Sequence, residues 1–304
     1  MKKPKTILYT TTTAIAALAF FSEQLGHMRR EGWDVHFITP AEPSDQVKRA
    51  IQASGATHHT LNFAREISPR HDLRSLLEMI RIVWKVRPDV INFSTPKAGL
   101  LGGIASALLG TPLRVYFIHG LRSETAATGK LALLRPVLLQ MERLTCWCAH
   151  EVLCVSPSNR DEAVKLGMVP DQKIRVLGAG SPAGIPFERY QHPNPQAVAA
   201  ARQELNLPEG TPVVGFVARM APQKGIEELL LAWPLVHQRV ANAKFLLVGT
   251  PDPANPLSEK AQQAFETAPN LIQVKFEADM SRLYPLMTVH TLPSRHEGLG
   301  MVVL

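Results

Sequence analysis

The chain has 304 residues, of which 45% are hydrophobic, and this composition excludes an intrinsically disordered protein. Its length predicts about two domains. Thirty-three lysines and arginines against 26 aspartates and glutamates give a net charge of +7, which favours anionic partners: nucleotide diphosphates, acidic lipid head groups or nucleic acid. No run reaches the roughly 18 apolar residues of a spanning helix, so any membrane contact is predicted to be peripheral.

The N-terminus admits two interpretations. A lysine-rich start followed by the apolar stretch Ile7–Phe21 imitates a secretory signal. However, the threonines Thr10–Thr13 interrupt that stretch, and Ile7–Tyr9 is followed by a helical pattern over Ala14–Arg30. We therefore predict the first strand and helix of a folded domain.

Short apolar runs alternate with helical stretches along the chain. They are Thr6–Thr10, Val35–Thr39, Val90–Phe93, Val115–Ile118, Val152–Val155, Ile174–Leu177, Val213–Val217, Phe245–Val248, Leu271–Val274 and Val289–Leu292. This alternation predicts an α/β fold with parallel strands and crossover helices. We predict two doubly wound parallel-sheet domains, residues 1–181 and 196–304, joined by a proline-rich linker over residues 182–195. Ligands bind beyond the carboxyl ends of such strands, so two facing domains would enclose a cleft.

Two cations follow the predicted strand Val213–Val217. Arg219 lies on the next loop, and Lys224 precedes a helix predicted to begin near Gly225. The N-terminus of this helix would therefore combine free backbone N–H groups, the positive end of the helix dipole and two cations. This pattern predicts a diphosphate site, although exposed lysines and arginines are usually only solvated charges.

A second motif lies in the glycine-bearing loop after the last predicted strand. It runs from Pro293 to Gly300, and Met301 is predicted to open the next helix. Glu297 can accept hydrogen bonds from sugar hydroxyls beside backbone amides of this loop. Alternatively, Glu297 caps the following helix. The two motifs together predict a nucleotide-sugar site.

The sequence contains no pattern typical of a metal centre. Cys146, Cys148 and Cys154 lack a partner set with zinc-ligand spacing and are predicted to be reduced thiols in the core. No Asp-x-Asp lies near a strand end to hold a cation. We therefore expect activity without a metal or other cofactor.

These motifs resemble those of the retaining GT-B glycosyltransferases of family four, also called group-one glycosyltransferases. The first half adds Thr95–Gly99, Ile118–Arg122, Glu124, Thr125, Gly129 and Met141–Arg143, which look most like bacterial enzymes of capsule, O-antigen and protein-glycan assembly. The resemblance covers essentially the whole chain. It implies a GT-B fold and a hexosyltransferase that passes a sugar from a UDP-sugar to a lipid diphosphate-linked saccharide. It also implies a peripheral location on the cytoplasmic face of the cell membrane, and no nucleic-acid partner.

The resemblance implies roles for individual donor-side residues. Arg219 and Lys224 would clamp the diphosphate, with Gly225 next to them. Glu297 would bind the donor sugar. The loop residues that would face the sugar are Gly298, Leu299 and Gly300.

Residues of the first half are predicted to lie on the other side of the cleft. By the resemblance, His119 would lie near the transferred sugar, although a histidine after an apolar strand can also be a core residue. Lys97 and Glu124 follow strands, on loops that could reach the acceptor or could equally form surface ion pairs.

The chain departs from the family pattern at two places. Ala183–Pro186 replaces the usual Asn-Gly-(Val or Ile)-Asp before the linker, which puts cleft contacts in question. A second glutamate, expected eight positions after Glu297, would fall beyond Leu304. We therefore expect the second domain to be truncated, and less stable and less active than a longer form.

Two predicted helices are each compatible with two different environments. Leu73–Arg87 mixes apolar and basic residues as an interfacial helix would, although packing against the sheet is favoured. Leu131–Leu144 is apolar nearly all round, so it is either buried or faces lipid. Two other functions also stay open: a sugar-nucleotide epimerase of the same fold, and a noncatalytic nucleotide-sugar-binding remnant.

Overall fold

The computed structural model describes residues 4–12, 21–40, 45–63, 68–121, 133–181, 187–253, 255–277 and 279–304. These residues form two compact units, Met1–Gly184 and Ile185–Leu304. Residues 182–186, which include part of the predicted linker, lie outside the described residues. The bounds of the linker therefore stay a prediction.

The first unit contains a parallel sheet in the order β3-β2-β1-β4-β5-β6-β7. Its strands are β1 Thr6–Thr10, β2 Asp34–Pro40, β3 Thr57–Leu61, β4 Val90–Ser94, β5 Leu113–Ile118, β6 Glu151–Cys154 and β7 Ile174–Val176. All strands predicted for this half are present. The strand order reverses between β1 and β4, which is the point where doubly wound sheets bind ligands.

The sequence analysis missed β3. This edge strand reads Thr-His-His-Thr-Leu, and only Leu61 is fully buried, so it lacks the apolar run by which the other strands were found. Its histidines bond to the neighbouring strand β2 instead. The Nε2 of His59 lies 2.8 Å from Nδ1 of His36, and Nε2 of His58 lies 2.8 Å from Oγ1 of Thr39.

The described helices of the first unit cover both faces of its sheet. They are α1 Ser22–Arg30, α2 Asp45–Ala53, α3 Pro69–Val86, α4 Pro96–Leu108, α5 Arg135–Cys148 and α6 Pro157–Lys165. The crossovers through α1 and α2 run opposite in direction to those through α3–α6, and right-handed connections therefore place the two sets on opposite faces. The start of α1 predicted at Ala14 cannot be compared, because residues 13–20 lie outside the described residues.

Helix α4 packs unusually close to the sheet. A Cβ on Gly99 would lie 2.9 Å from the ring of Tyr116, and one on Gly103 would lie 3.1 Å from Cys148. The glycines of this helix therefore allow its close packing against the sheet. The three cysteines are buried and free of disulfides, and burial raises the pKa of Cys146 to about 12.

The second unit contains a parallel sheet in the order β10-β9-β8-β11. Its strands are β8 Val213–Val217, β9 Lys244–Val248, β10 Leu271–Val274 and β11 Val289–His290. The helices described here are α7 Phe187–Gln191, α8 Pro195–Glu204, α9 Ile226–Arg239 and α10 Glu259–Thr267. The strands occur where they were predicted, although β11 ends two residues early.

The helix predicted to open at Met301 is absent from the described residues. Residues 301–303 form a turn, closed by a 2.9 Å hydrogen bond from the Val303 amide to the Gly300 carbonyl. Within the described ranges, no helix has the length and apolar character needed to cross a bilayer.

Candidate functional site

The two predicted motifs of the second unit meet at the carboxyl edge of its sheet. Arg219 follows β8, and Pro222–Lys224 form a 3-10 turn that leads into α9. The helix therefore starts within one residue of its predicted position. The other motif follows β11, which pairs directly with β8, so the sheet itself brings the two loops together.

Gly225 is the point of closest approach between the motifs. Its φ of 73° lies in the left-handed region, and a Cβ placed there would lie 1.9 Å from the carbonyl oxygen of Pro293. A side chain at this position would therefore be strained and would also collide with the opposite loop. Glycine is required because the backbone of one motif occupies the space beside the other.

Hydrogen bonds fasten the same two loops. The Oγ of Ser294 and the backbone amide of Arg295 both donate to the carbonyl of Gln223, at 3.1 and 3.0 Å. The guanidinium of Arg295 also pairs with Glu228 in the first turn of α9. The two motifs thus form a single structural unit.

Lys224 and Glu297 form an ion pair across this unit. The Lys224 Nζ lies 2.5 Å from Oε1 of Glu297, and the two side chains are 21% and 28% exposed. The sequence analysis assigned Lys224 to the diphosphate and Glu297 to the sugar, without a contact between them. Their pairing places the proposed diphosphate and sugar positions next to each other.

Arg219 has a carboxylate partner that the sequence analysis missed. Its Nη1 lies 2.5 Å from Oδ2 of Asp252, whose side chain is only 5% exposed, while that of Arg219 is 61% exposed. The same Oδ2 accepts a 3.2 Å hydrogen bond from Asn255. Asp252 lies in the loop after β9, the neighbour of β8. Since the carboxyl ends of adjacent parallel strands share one edge, this loop could have been searched for an acid.

The site is electrostatically balanced but keeps spare donor capacity. Two cations face two carboxylates, so the four side chains carry no net charge. A guanidinium has five N–H groups and an ammonium has three, and each pairing described above uses one. Arg219 and Lys224 can therefore donate to phosphate oxygens without leaving their carboxylates.

The three loop residues that follow Glu297 lie close to its side chain. Gly298, Leu299 and Gly300 are partly buried, and a Cβ on Gly300 would come no closer than 4.0 Å to the Glu297 Cγ. The Leu299 carbonyl accepts a 2.8 Å hydrogen bond from the Met301 amide. Whether these amides face a sugar stays a prediction.

His119 belongs to the first unit, immediately after β5. Its ring meets Phe117 edge-on with centroids 4.7 Å apart, and Phe21 edge-on at 6.1 Å. Burial lowers the pKa of His119 to about 4, so the imidazole is neutral at pH 7. A neutral ring can donate or accept a hydrogen bond to a sugar hydroxyl, and its role at the sugar stays a prediction.

Lys97 forms an ion pair, which the sequence analysis gave as the alternative to an acceptor-side role. Its Nζ lies 2.7 Å from Oδ1 of Asp72 in α3, with the two side chains 13% and 22% exposed. Glu124 lies outside the described residues. The acceptor-side role of both residues stays a prediction.

The loop that carries Lys97 is fixed at the reversal point of the first sheet. Thr95, after β4, has a φ of 66°, which is rare for a residue other than glycine. Its Oγ1 accepts a 2.9 Å hydrogen bond from the amide of Thr12, after β1. The hydroxyl of Thr12 in turn accepts from the Ala98 amide at 3.1 Å. The two strands on either side of the reversal are therefore joined by threonines.

A metal centre is not evident in the part of the chain that the structure describes. Among those residues, no group of three or more His, Cys, Asp or Glu could hold a metal ion. Metal independence nevertheless stays a prediction.

Sequence comparisons connect both units to known families. The model for the glycosyl transferase 4-like domain matches residues 18–180, and that for glycosyl transferases group 1 matches residues 211–304. The capsular polysaccharide biosynthesis glycosyltransferase CapM of Staphylococcus aureus is 31% identical over 99% of this chain and 76% of its own length. An Escherichia coli UDP-Gal:alpha-D-GlcNAc-diphosphoundecaprenol alpha-1,3-galactosyltransferase is 24% identical over 79% of this chain and 60% of its own length.

Solved structures with the same fold belong to glycosyltransferases and to epimerases. Anabaena HepE, crystallised with UDP and glucose, has a TM-score of 0.76 and 18% identity, over 98% of this chain and 77% of that one. The lipopolysaccharide glycosyltransferase WaaG has a TM-score of 0.68 and 14% identity over the same shares. The UDP-GlcNAc 2-epimerase of Neisseria meningitidis has a TM-score of 0.66 and 12% identity, over 92% of this chain and 74% of that one. These likenesses show a GT-B fold.

Proposed function

Because the chain belongs to the group 1 glycosyltransferases, we propose that it transfers a hexosyl group from a UDP-sugar to a lipid diphosphate-linked saccharide, with retention at the anomeric carbon. The product would enter a bacterial surface glycan. The observation that carries the donor assignment is the convergence of Arg219, Lys224 and Glu297 at one edge of the second sheet.

The geometry supports an electrostatic mechanism. As UDP departs, negative charge grows on the diphosphate and positive charge grows on the sugar ring. Arg219 and Lys224 would stabilise the diphosphate through charge-assisted hydrogen bonds, with their orientation already fixed by Asp252 and Glu297. Glu297 would accept from sugar hydroxyls while it remains beside Lys224. No protein nucleophile is assigned; the leaving phosphate would take the acceptor's proton on the same face.

The donor and acceptor classes rest on what related proteins use. The Escherichia coli relative is named for UDP-Gal and a diphosphoundecaprenol-linked acceptor, and HepE was crystallised with UDP and glucose. These names support a UDP-sugar and a lipid-borne saccharide for this chain. Such an acceptor would place the enzyme at the inner face of the cell membrane.

A UDP-release screen tests this function directly. The protein is incubated with single UDP-sugars, with and without lipid-linked saccharides extracted from membranes, and released UDP is measured. We expect release that depends on the acceptor and persists in EDTA. Release with no acceptor dependence, or activity lost to chelation and restored by magnesium, would contradict the proposal. Conversion of the UDP-sugar without release of UDP would identify an epimerase instead.

A further inference from the structure

Helix α3 presents an apolar stripe that does not face the core. Leu73, Leu77 and Trp84 are 59%, 60% and 60% exposed. Their spacings of four and seven residues put them on one side of a helix with 3.6 residues per turn. The core-facing residues of the same helix are Ser75, Met79 and Val83. The helix therefore has a second apolar surface, which the described residues of its own unit leave more than half exposed.

A cationic stripe runs beside this apolar stripe. It consists of four exposed residues with the spacings four, seven and four: Arg70, Arg74, Arg81 and Lys85. The helix carries two carboxylates, Asp72, which pairs with Lys97, and Glu78, which pairs with Arg74.

Helix α5 repeats the apolar half of this pattern on the same side of the sheet. Val137, Leu144 and Trp147 are 51%, 41% and 74% exposed, and Leu133 in the turn before the helix is 89% exposed. Helix α4 packs between α3 and α5, so all three form one layer. The two exposed stripes therefore belong to the outer side of a single helical layer.

We propose that this outer surface of α3 and α5 docks the protein on an anionic lipid bilayer, an inference that rests on the proposed function in so far as the acceptor is lipid-borne. Exposed leucines beside arginines, with tryptophan in each stripe, are the composition that inserts at a bilayer interface. The positive charge of the surface favours a lipid bilayer over a second copy of the chain. Two copies facing each other through this surface would bring their cationic stripes to one interface, where like charges repel, whereas anionic head groups complement them.

Vesicle sedimentation with matched variants measures the contribution of each stripe. The probe is vesicles of phosphatidylglycerol in phosphatidylcholine, without any saccharide acceptor. Arg81→Gln with Lys85→Gln should weaken partitioning by roughly 30-fold, because each cation near an anionic surface contributes a factor of about five. Leu73→Ser with Leu77→Ser should weaken it at least as much. The controls are Lys260→Gln with Lys275→Gln, and Leu235→Ser, which are exposed in the second unit and should partition like wild type.

Tryptophan quenching by brominated acyl chains reports which surface enters the bilayer. Trp84 and Trp147 should be quenched, and the quenching should disappear in the Trp84→Phe, Trp147→Phe variant. Trp233, which is fully buried, and Trp33, which is partly buried, remain in this double variant, and their emission serves as the internal reference. Quenching that survives in this double variant would overturn the proposal, as would stripe variants that partition like wild type. A dimer that Leu77→Ser dissociates, with no vesicle binding, would also overturn it and assign the surface to a second copy.

The same samples separate failure of docking from failure of the proposed function. UDP binding is measured for each stripe variant by calorimetry without lipid, and should equal that of wild type because the variants lie outside the donor-site unit. Vesicle binding by a protein that shows no UDP-sugar turnover would support docking and contradict the glycosyl-transfer proposal. Turnover with a lipid-linked acceptor that the stripe variants leave unchanged would contradict docking alone.

Discussion

Lys224 and Glu297 are 73 positions apart in the chain, yet the Lys224 Nζ donates to the Glu297 carboxylate at 2.5 Å. This pair joins a residue expected at the diphosphate to one expected at the sugar. In a nucleotide sugar the anionic diphosphate is bonded directly to a neutral ring that carries hydroxyl donors, so a cation beside a carboxylate matches its acceptors and its donors. The relationship leads to separate predictions for the two residues.

Removal of either cation should weaken UDP binding. Arg219→Ala and Lys224→Ala each delete a charge-assisted hydrogen bond worth about 1.5–3 kcal/mol, which corresponds to a loss of roughly ten- to hundredfold in affinity. Isothermal titration with UDP measures the effect, and Lys260→Gln serves as the control for net charge. UDP affinities equal to that of wild type in both variants would show that the diphosphate binds elsewhere.

Glu297→Gln should reduce sugar-dependent turnover more than it reduces UDP binding. The amide keeps the size of the carboxylate but removes its charge, so contacts with sugar hydroxyls weaken while the diphosphate contacts of Lys224 remain. The measurements are kcat/KM with the UDP-sugar, and the dissociation constants for UDP and for the UDP-sugar. An equal loss for both ligands would indicate that Glu297 only holds Lys224 in place.

Asp252→Asn should raise the KM for the UDP-sugar without lowering the melting temperature. The substitution keeps an acceptor for Arg219 but loses the charge that orients the guanidinium, and about a tenfold effect is expected from a hydrogen bond to a charged group. Asn255→Ala is the matched control, because it removes the other hydrogen bond to the same oxygen. Thermal unfolding and steady-state kinetics on both variants test this. A changed melting temperature with unchanged KM would assign Asp252 a purely structural role.

Gly225→Ala should cost more stability than Gly210→Ala. The two glycines have φ values of 73° and 72°, but a Cβ on Gly225 would collide with the Pro293 carbonyl, while one on Gly210 would have no heavy atom within 4 Å. Backbone strain of about 1–2 kcal/mol is common to both, and the collision is specific to Gly225. Urea unfolding measures the difference. Equal losses of unfolding free energy in the two variants would mean that the loops of Gly225 and Pro293 can move apart at no cost in stability.

Stability should fall as the pH drops from about 6.5 to about 4. Burial, with smaller effects from His36, His58 and Lys85, lowers the pKa of His59 to about 4, from an ordinary value of 6.5. Below pH 6.5 the unfolded chain takes up a proton that the folded chain does not, so the unfolded state gains stability until the folded pKa is reached. His59→Gln should reduce this loss while keeping a side-chain amide that can pair with His36. Urea unfolding at pH 7 and pH 5 compares the two proteins.

The sequence predicted most of the fold because buried parallel strands are nearly continuous apolar runs. It failed at β3, where His58 and His59 replace apolar residues at the edge of the sheet. It also predicted a helix at Met301, where the structure has a turn. Apolar residues at the end of a chain do not distinguish a turn from the start of a helix.

The site was predicted only as far as single residues. Strand order follows from crossover rules, so Arg219 and Glu297 could be assigned to one edge. Their partners could not, because the Arg219–Asp252 and Lys224–Glu297 pairs depend on loop conformations, which no periodicity encodes. The hydrogen bond between Thr12 and Thr95 could not be predicted for the same reason.

The collision that only glycine avoids at position 225 also limits how this chain can be recombined with its relatives. A chimera that exchanges residues 219–225 alone would keep the old Pro293 loop against a new backbone, and the reverse exchange would do the same. Both segments must come from one parent for the loops to fit. A chimera should therefore acquire the donor preference of a relative only when both segments are exchanged together, and not when either segment is exchanged alone.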